Sequence, residues 1–365
     1  MKVALVHDYL VDAGGAERVL LELHRVFPNA PIFTSIYSPP TTMPEFSDCD
    51  LRTSFLQKLR LTRSNYKRLL PLYPFAFREF DLNAYDLIVS SSSAFSKCIR
   101  PRASAVHVCY CHTPPRFLYR WREYRQQEQL GSFTSCVVAA TRSYLIWWDQ
   151  KGASRVDKFV ANSETVRDRI SRSYSRNADV VYPPIELDGI TVSQNREDFY
   201  LIASRLLRYK RIDTAVDAFT RLRRPLVIVG DGPDRARLEA MAGPSISFRG
   251  RVADGALREM YQRCRATVVP GEEDLGLTPL EANAAGTPAI ALGRGGARET
   301  VVPNKTGVLY VEPTATSLMH AVAQFELLQF DAGAVRGHAE RFSRESFRRG
   351  ILAAIDEAHA SRASR

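Results

Sequence analysis

The sequence predicts an α/β protein of two doubly wound domains, each a parallel sheet with helices on both faces. Three observations predict it. Short apolar runs alternate with amphipathic helical stretches along most of the chain. The runs carry few alternating polar positions, as strands do when both faces of a sheet are covered. The alternation stops at a polar stretch, Ile185–Asp198, and then restarts. A chain of 365 residues also exceeds what one ordinary core organises.

Each element follows in order. "KVALVH" (Lys2–His7) reads as a buried strand, and Gly15–Phe27 as the helix after it. "APIFTSIY", "YDLIVSSS", "AVHVCYCH" and "KFVANSE" read as further strands, and Phe133–Ala153 as a long helix ending near Gly152. Past the linker, "DFYLIASRL", "PLVIVG", "ISFRG", "ATVVPG" and "PAIAL" read as strands. Between them "RIDTAVDAFTRL", "PDRARLEAMA", "ADGALREMYQRC" and "LTPLEANAAG" read as helices. The expected division is residues 1–188 and 189–343. No internal repeat and no low-complexity tract is visible.

Composition narrows the function classes. The chain is 45% hydrophobic and 25% charged, as globular proteins are. It has no apolar run of about 18 residues, so no membrane span is expected. The N-terminal apolar stretch is only about six residues and is followed by acids, which predicts a first strand rather than a leader peptide. Six scattered cysteines without framework spacing predict reduced thiols and a cytoplasmic protein. The net charge of +10 points to an anionic partner: nucleic acid, an anionic membrane surface or a phosphorylated small molecule. Nucleic acid is set aside, because the chain has no aromatic stacking motif on a strand and no helix-turn-helix signal.

Several stretches carry chemistry. In "HDYLVDAGGAER" a strand ends at His7 and a loop carries Gly14 and Gly15 into a helix. Backbone amides there can approach a phosphate or sugar; the same pair also suits a plain strand-to-helix turn. In "SRLLRYKR", Arg205 follows a strand and Lys210 lies five residues on. Cations at the carboxyl end of a parallel strand could clamp a diphosphate, or be solvated surface charge. In "VVPGEEDLGLTPLEANAAG" (Val268–Gly286), Glu272, Glu273 and Asp274 leave a strand end, and Glu281 sits near the start of a helix. Thr278 is placed to cap that helix and Pro279 suits its first turn. Capping and loop acids would explain Glu272 and Asp274. They do not explain the Gly276 turn that would draw Glu273 toward Glu281.

In "VCYCHTPPRFLY", His107, Cys109 and Cys111 share one strand face and His112 faces the other way. Three residues on one extended strand cannot close around a metal, so the cysteines and His107 are expected in the core. Asp48-Cys49-Asp50 lies in a polar loop and is not expected to bind metal. The segment from Arg52 to Phe77 interleaves Arg52, Lys58, Arg60, Arg63, Lys67 and Arg68 with aromatic and Leu residues and has no acid. It suits an anionic leaflet, a lipid-diphosphate acceptor or single-stranded nucleic acid. A basic helix with its Leu face packed inward is the plain alternative.

The order and spacing of these stretches resemble the retaining glycosyltransferases of the GT-B fold, family 4, over about residues 1–350. "EDLGLTPLEANAAG" is similar to that family's Glu-x7-Glu motif. "GGAERV", "VANSETVRDRI", "VVYPPIE", "ASRLLRYKRID", "IVGDGPDRARLEA", "ISFRGRV" and "GGARETV" agree in order. The resemblance implies two Rossmann-like domains facing across a cleft that holds the donor, and a last helix, about 344–360, crossing back onto the first domain. It implies that Arg205 and Lys210 bind the donor diphosphate, that Glu281 holds the ribose and that Glu273 meets the sugar. It implies contacts from the backbone at Arg251 and Val252 to the base, and from the Leu275, Gly276 and Leu277 amides to sugar and phosphate. Gly14 and Gly15 would approach the diphosphate and acceptor. Leu275 stands where the family often has Phe. His112 resembles the family's active-site histidine that touches the donor sugar; a satisfied core histidine is the alternative.

The forms "CHTP", "HDYL" and "GGAER" look most like bacterial mannosyl- and related transferases of surface polysaccharides. The implied reaction moves a hexose, mannose from GDP-mannose, onto a lipid-linked or growing glycan at the inner face of the plasma membrane. No cofactor and no metal would be required. UDP- or dTDP-sugar donors remain alternatives within the class. A sugar-nucleotide epimerase shares the architecture, and the four charged residues Arg205, Lys210, Glu273 and Glu281 argue against it.

Overall fold

The computed structural model describes residues 1–363, except 60–64, 129–131 and 194. They form two units: Met1–Pro184 together with the chain from Phe347 onward, and Ile185–Ser346.

The first unit is built on strands β1 (Val3–His7), β2 (Ile32–Thr34), β3 (Leu51–Thr53), β4 (Leu87–Ser92), β5 (Val106–Cys111), β6 (Lys158–Ala161) and β7 (Ala178–Val180). They pair in parallel in the order β3-β2-β1-β4-β5-β6-β7. Alternate side chains serve opposite layers. Ala4, Val6 and Ile88 pack with Tyr73, Phe77 and Phe95 on one face. Leu5, Leu87, Val89 and Val108 pack on the other with Leu20, Leu23 and Phe347. Both faces are therefore buried, which is why the strands read as continuous apolar runs.

The second unit holds β8 (Tyr200–Ala203), β9 (Leu226–Val229), β10 (Ile246–Gly250), β11 (Ala266–Val269), β12 (Ala289–Leu292) and β13 (Gly307–Tyr310). Its order is β10-β9-β8-β11-β12-β13, again parallel. In both sheets the strand order reverses beside the first strand, between β1 and β4 and between β8 and β11. Open α/β sheets place ligands at the carboxyl ends of the strands flanking such a reversal.

The last helix, Arg344–Ala363, returns to the first unit. Phe347, Ile351, Ala354, Ile355 and Ala358 recur at helical spacing and are buried with Leu5, Leu87 and Val106. A Cβ on Gly350 would lie 2.9 Å from the Val181 side chain, so the helix can press this closely only with glycine there. Arg362 donates to the Asp157 carboxylate at 2.6 Å, and Lys158 pairs with Glu357 at 2.6 Å.

The basic segment departs from a single amphipathic helix. Its described residues form 3₁₀ turns at Phe55–Leu59 and Tyr66–Leu72 and a short helix at Tyr73–Arg78. Pro71 and Pro74 remove the amide donors a continuous helix would need. Leu56, Leu70, Tyr73 and Phe77 are buried, while Leu59, Leu72 and Phe75 are exposed. Arg60 and Arg63 lie outside the described residues. Among the described residues no helix is long and apolar enough to cross a membrane.

Candidate active site

In the second unit the predicted charges meet at the ends of β8 and β11. Arg205 is exposed two residues past β8, and Lys210 closes the 3₁₀ turn Arg208–Lys210. Lys210 Nζ pairs with Glu273 Oε1, with side chains only 15% and 18% exposed. Burial would lower the Lys210 pKa, but the facing Glu273 carboxylate outweighs it and raises it; the nearby Arg205 charge opposes that rise. The approach depends on Gly271, because a Cβ there would sit 2.7 Å from the Lys210 carbonyl oxygen. The backbone of Glu273 is fixed as well: its carbonyl accepts the Gly296 amide at 3.0 Å.

The turn from Glu273 into the helix Leu277–Ala284 runs through Gly276 at φ +84°, a left-handed conformation that suits glycine. Two expectations need correction here. Thr278 does not cap the helix. It lies inside the first turn, and its hydroxyl donates to the Ala203 carbonyl at 3.2 Å, tying the helix to the end of β8. Glu281 lies in the second turn, not the first, so the dipole at the helix start does little for it. Its carboxylate instead accepts the Tyr261 hydroxyl at 3.0 Å, from the helix Asp254–Arg263. The two acids thus have different partners, a cation for Glu273 and a phenol for Glu281. Leu275 is buried and Leu277 half-buried. Arg251 is exposed and Val252 half-buried just past β10, where Gly250 turns at φ +65° and its carbonyl accepts the Gly230 amide at 2.7 Å.

In the first unit the helix Gly15–Val26 begins after Gly14, as the glycine pair predicts. The Gly14 amide, however, is engaged by this chain's own acid: Glu17 Oε2 accepts it at 3.0 Å. The other oxygen of Glu17 lies 4.0 Å from His7 Nε2. His7 Nδ1 is 3.0 Å from the Ser91 hydroxyl, and that hydroxyl is 2.8 Å from His112 Nε2. His112 follows β5, with its amide donating to Ser92, and its ring packs on Tyr110 at 5.3 Å between centroids. Beside this chain the buried Asp8 carboxylate accepts the amides of Ser93, Ala94 and Ser96 at 2.5, 2.8 and 2.7 Å, fixing the loop after β4.

His7, Asp8, Glu17 and Ser91 were not singled out as site residues. The signal was present: polar residues close the apolar runs of β1 and β4, the strands that flank the reversal in strand order. His107 is in the core as expected, fully buried with Nε2 2.8 Å from the Ser90 hydroxyl. Burial, helped by the Lys97 charge, pushes its pKa down to about 3. Cys109 and Cys111 pack with Val156 and Phe159, and burial pushes the Cys109 thiol up to about 12. Among the described residues no three His, Cys, Asp or Glu side chains converge as metal ligands.

Comparison with known proteins places this geometry. A family model described as Glycosyltransferase Family 4 matches residues 13–188, and one described as Glycosyl transferases group 1 matches residues 186–347. A GDP-mannose-dependent alpha-mannosyltransferase of Mycolicibacterium smegmatis is 29% identical over 50% of this chain and 52% of its own length. A GDP-mannose-dependent alpha-(1-6)-phosphatidylinositol monomannoside mannosyltransferase of Mycobacterium tuberculosis is 28% identical over 57% of this chain and 64% of its own. A D-inositol 3-phosphate glycosyltransferase of Gordonia bronchialis is 27% identical over 60% and 56%. The chain thus spans between about half and two thirds of the length of these relatives.

Solved structures agree on the fold. The sucrose-phosphate synthase of Thermosynechococcus elongatus superposes with a TM-score of 0.73 at 19% identity, over 99% of this chain and 100% of that one. The Anabaena protein Alr3699/HepE, solved in complex with UDP-glucose, gives 0.71 at 17% identity over 98% and 100%. The two family matches meet at the linker and together run from residue 13 to residue 347. The chain belongs to the family 4 glycosyltransferases of the GT-B fold.

Proposed function

We propose that the chain is a retaining glycosyltransferase that moves mannose from GDP-mannose onto a lipid-linked or growing glycan of a bacterial surface polysaccharide. The observation that carries the reading is the pairing of Lys210 with Glu273 beside Arg205, at the reversal in strand order of the second unit. A cation held by an acid beside a second cation suits a nucleotide diphosphate attached to a sugar. Arg205 and Lys210 would meet the diphosphate and its developing charge, Glu273 the sugar and Glu281 the ribose. Arg251 and Val252 would lie along the base, with the Leu275, Gly276 and Leu277 amides on sugar and phosphate. The acceptor hydroxyl attacks the anomeric carbon on the face from which the diphosphate leaves, and the diphosphate takes the acceptor's proton. The linkage formed is α. The two cations cover the charge that a metal would otherwise balance.

The mannose assignment rests on the names of the mycobacterial relatives and on the "HDYL", "GGAER" and "CHTP" stretches. The test is thermal unfolding with GDP, UDP, dTDP or ADP, without added metal. Stabilisation by GDP alone, about 2.7 kcal/mol at a hundred times its dissociation constant, supports the reading. A GDP-mannose transfer assay then follows. The UDP-glucose complex of a structural neighbour favours a second reading, a UDP-sugar donor, which stabilisation by UDP would select.

Contact with an anionic leaflet belongs to the same proposal. Phe75 and Trp147 are exposed in the first unit. The Arg78 guanidinium lies 4.7 Å from the Trp148 ring, and Lys151 Nζ lies 4.7 Å from the Trp147 ring. Aromatic rings interleaved with cations suit a lipid interface on the cytoplasmic side. Flotation with anionic but not neutral vesicles is the expected outcome.

A further inference from the structure

We infer that Arg196 is a positioning residue for the donor site, one that sets the Tyr261 hydroxyl against Glu281. Arg196 lies in the polar stretch before β8, within the second unit, and its guanidinium meets the ends of two helices. Nη1 donates to the Gln262 carbonyl at 2.7 Å and to the Tyr261 carbonyl at 3.3 Å, in the last turn of the helix Asp254–Arg263. Nη2 donates to the Gly286 carbonyl at 2.8 Å and to the Ala285 carbonyl at 3.4 Å, where the helix Leu277–Ala284 ends. Nη1 also donates to the Thr287 hydroxyl, which in turn donates to the Tyr261 carbonyl. Thr287 is fully buried, and its own carbonyl accepts the Asn283 side-chain amide at 2.9 Å.

The last carbonyls of a helix have no partner within it and carry partial negative charge. Two such ends side by side repel each other, and a cation between them satisfies both. A planar guanidinium can send separate N–H groups to the two ends, which the point charge of a lysine cannot. The helices joined here are those that carry the Tyr261 hydroxyl and the Glu281 carboxylate, 3.0 Å apart. Arg196 holds the main chain of Tyr261 itself, and it holds the other helix at Ala285 and Gly286, just past Glu281. Bonds between a hydroxyl and an oxygen span roughly 2.5–3.0 Å, so a slip of about 1 Å between the two helix ends would break this one. Arg336 supplies a contrast. Its guanidinium donates to the Ala284 carbonyl, and to the Ile190 carbonyl at 2.9 Å, which ties the helix of Glu281 to the linker. Among the described residues it makes no bond to the helix of Tyr261.

This inference rests on the proposed function for the role of Glu281 at the ribose; the positioning itself needs no donor. The test is a double-mutant cycle of Tyr261→Phe and Glu281→Gln in the full chain, read by urea unfolding. It is run in the parent and in Arg196→Lys, Thr287→Val and Arg336→Lys. In the parent and in Arg336→Lys the two substitutions should be coupled by roughly threefold or more in the unfolding equilibrium constant. In Arg196→Lys the coupling should fall below about twofold, the range of independent sites. Coupling at the parent level in Arg196→Lys, whatever its stability, would show that Arg196 fastens the linker and nothing more, and overturns the inference. So does absence of coupling in the parent, or its equal loss in Arg336→Lys, which would be a general loosening. Thr287→Val removes the hydroxyl between Arg196 and the Tyr261 carbonyl and should weaken the coupling in the same direction. Where Arg196→Lys does not fold, Thr287→Val decides, and coupling at the parent level there overturns the inference. Titration with GDP, UDP, dTDP or ADP reads the consequence at the site. Tyr261→Phe should weaken the nucleotide that binds the parent and have almost no further effect in Arg196→Lys; equal weakening in both also overturns the inference. Binding of none of the four would sink the proposed function and leave the unfolding cycles to decide this one.

Discussion

Lys210 and Glu273 stand 63 residues apart in sequence and meet as an ion pair at the ends of adjacent parallel strands. The acid therefore holds the cation in place before any donor arrives. Glu273→Gln is expected to remove a charge-assisted bond worth about 1.5–3 kcal/mol. Turnover in the transfer assay should fall by roughly ten- to a hundredfold. The Lys210 pKa should also fall, because its raising partner is gone while burial and Arg205 still oppose the charge. Unchanged turnover would remove Glu273 from the site.

Glu281 answers to a different partner and should give a different phenotype. Glu281→Ala is expected to weaken nucleotide binding with little effect on the chemical step. Tyr261→Phe removes the hydroxyl that donates to Glu281 at 3.0 Å and should weaken binding in the same direction by less, about 0.5–1.5 kcal/mol. Titration calorimetry with GDP checks both. Equal loss of turnover in the two variants at saturating donor would contradict the division of roles.

Gly271→Ala tests the geometry without touching a charged group. The added Cβ would fall 2.7 Å from the Lys210 carbonyl oxygen, so the turn bearing Lys210 must move away from the loop bearing Glu273. A loss of nucleotide binding comparable to Lys210→Ala is expected, with the thermal midpoint lowered. Binding at the parent level would show that the two loops yield easily.

The first unit contains a fully buried ion pair, Lys97 with Asp149, extended by the Tyr119 hydroxyl at 2.8 Å from Asp149. Removing one partner strands the other, so Asp149→Asn should cost about 3–5 kcal/mol in urea unfolding. Burial tends to lower the Lys97 pKa, but Asp149 raises it overall. The stabilisation is fully present below the lysine's ordinary value of about 10.4 and is lost only as pH climbs through the raised one. The pair should thus be insensitive to pH across the neutral range.

His107 has the opposite sign. Its folded pKa of about 3 lies below the ordinary value, so between the two the unfolded chain binds the extra proton. Stability is expected to fall on acidification from about pH 6.5 toward pH 3, by about 1.4 kcal/mol per unit from this group. The difference in unfolding free energy between the parent and His107→Gln, followed from pH 7 to pH 5, should shrink accordingly. A constant difference would mean that His107 is not held neutral.

Much of this arrangement was legible before any coordinates. Arg205, Lys210 and Glu273 were found because each follows an apolar run, and parallel strands deliver whatever follows them to one edge of the sheet. Their mutual pairing was not, because it depends on β8 and β11 being neighbours, and adjacency is set by the long-range strand order. Thr278 misled because a threonine before Pro279 suits a cap, whereas its hydroxyl finds the Ala203 carbonyl on another element. His7 closes a run of valine, alanine and leucine, and nothing local tells a closing histidine from one more buried side chain. Its hydrogen-bond partner appears only when Ser91, 84 residues on, comes alongside. In the basic segment a single helix packing its Leu face inward was kept as an alternative; Pro71 and Pro74, whose missing amide donors rule it out, were not weighed.

The helix Arg344–Ala363 gives the first unit a late-arriving piece. During synthesis the sheet of β1 to β7 leaves the ribosome well before Phe347, Ile351 and Ile355, with the whole second unit made in between. At about 5–20 residues per second the delay is roughly ten to thirty seconds. For that interval, while the second unit is still being made, the positions on Leu5, Leu87 and Val106 that this helix covers are bare to the crowded cell. Ribosome pausing late in the message would lengthen that exposure, and a chaperone that holds apolar surface would be most useful to this protein then.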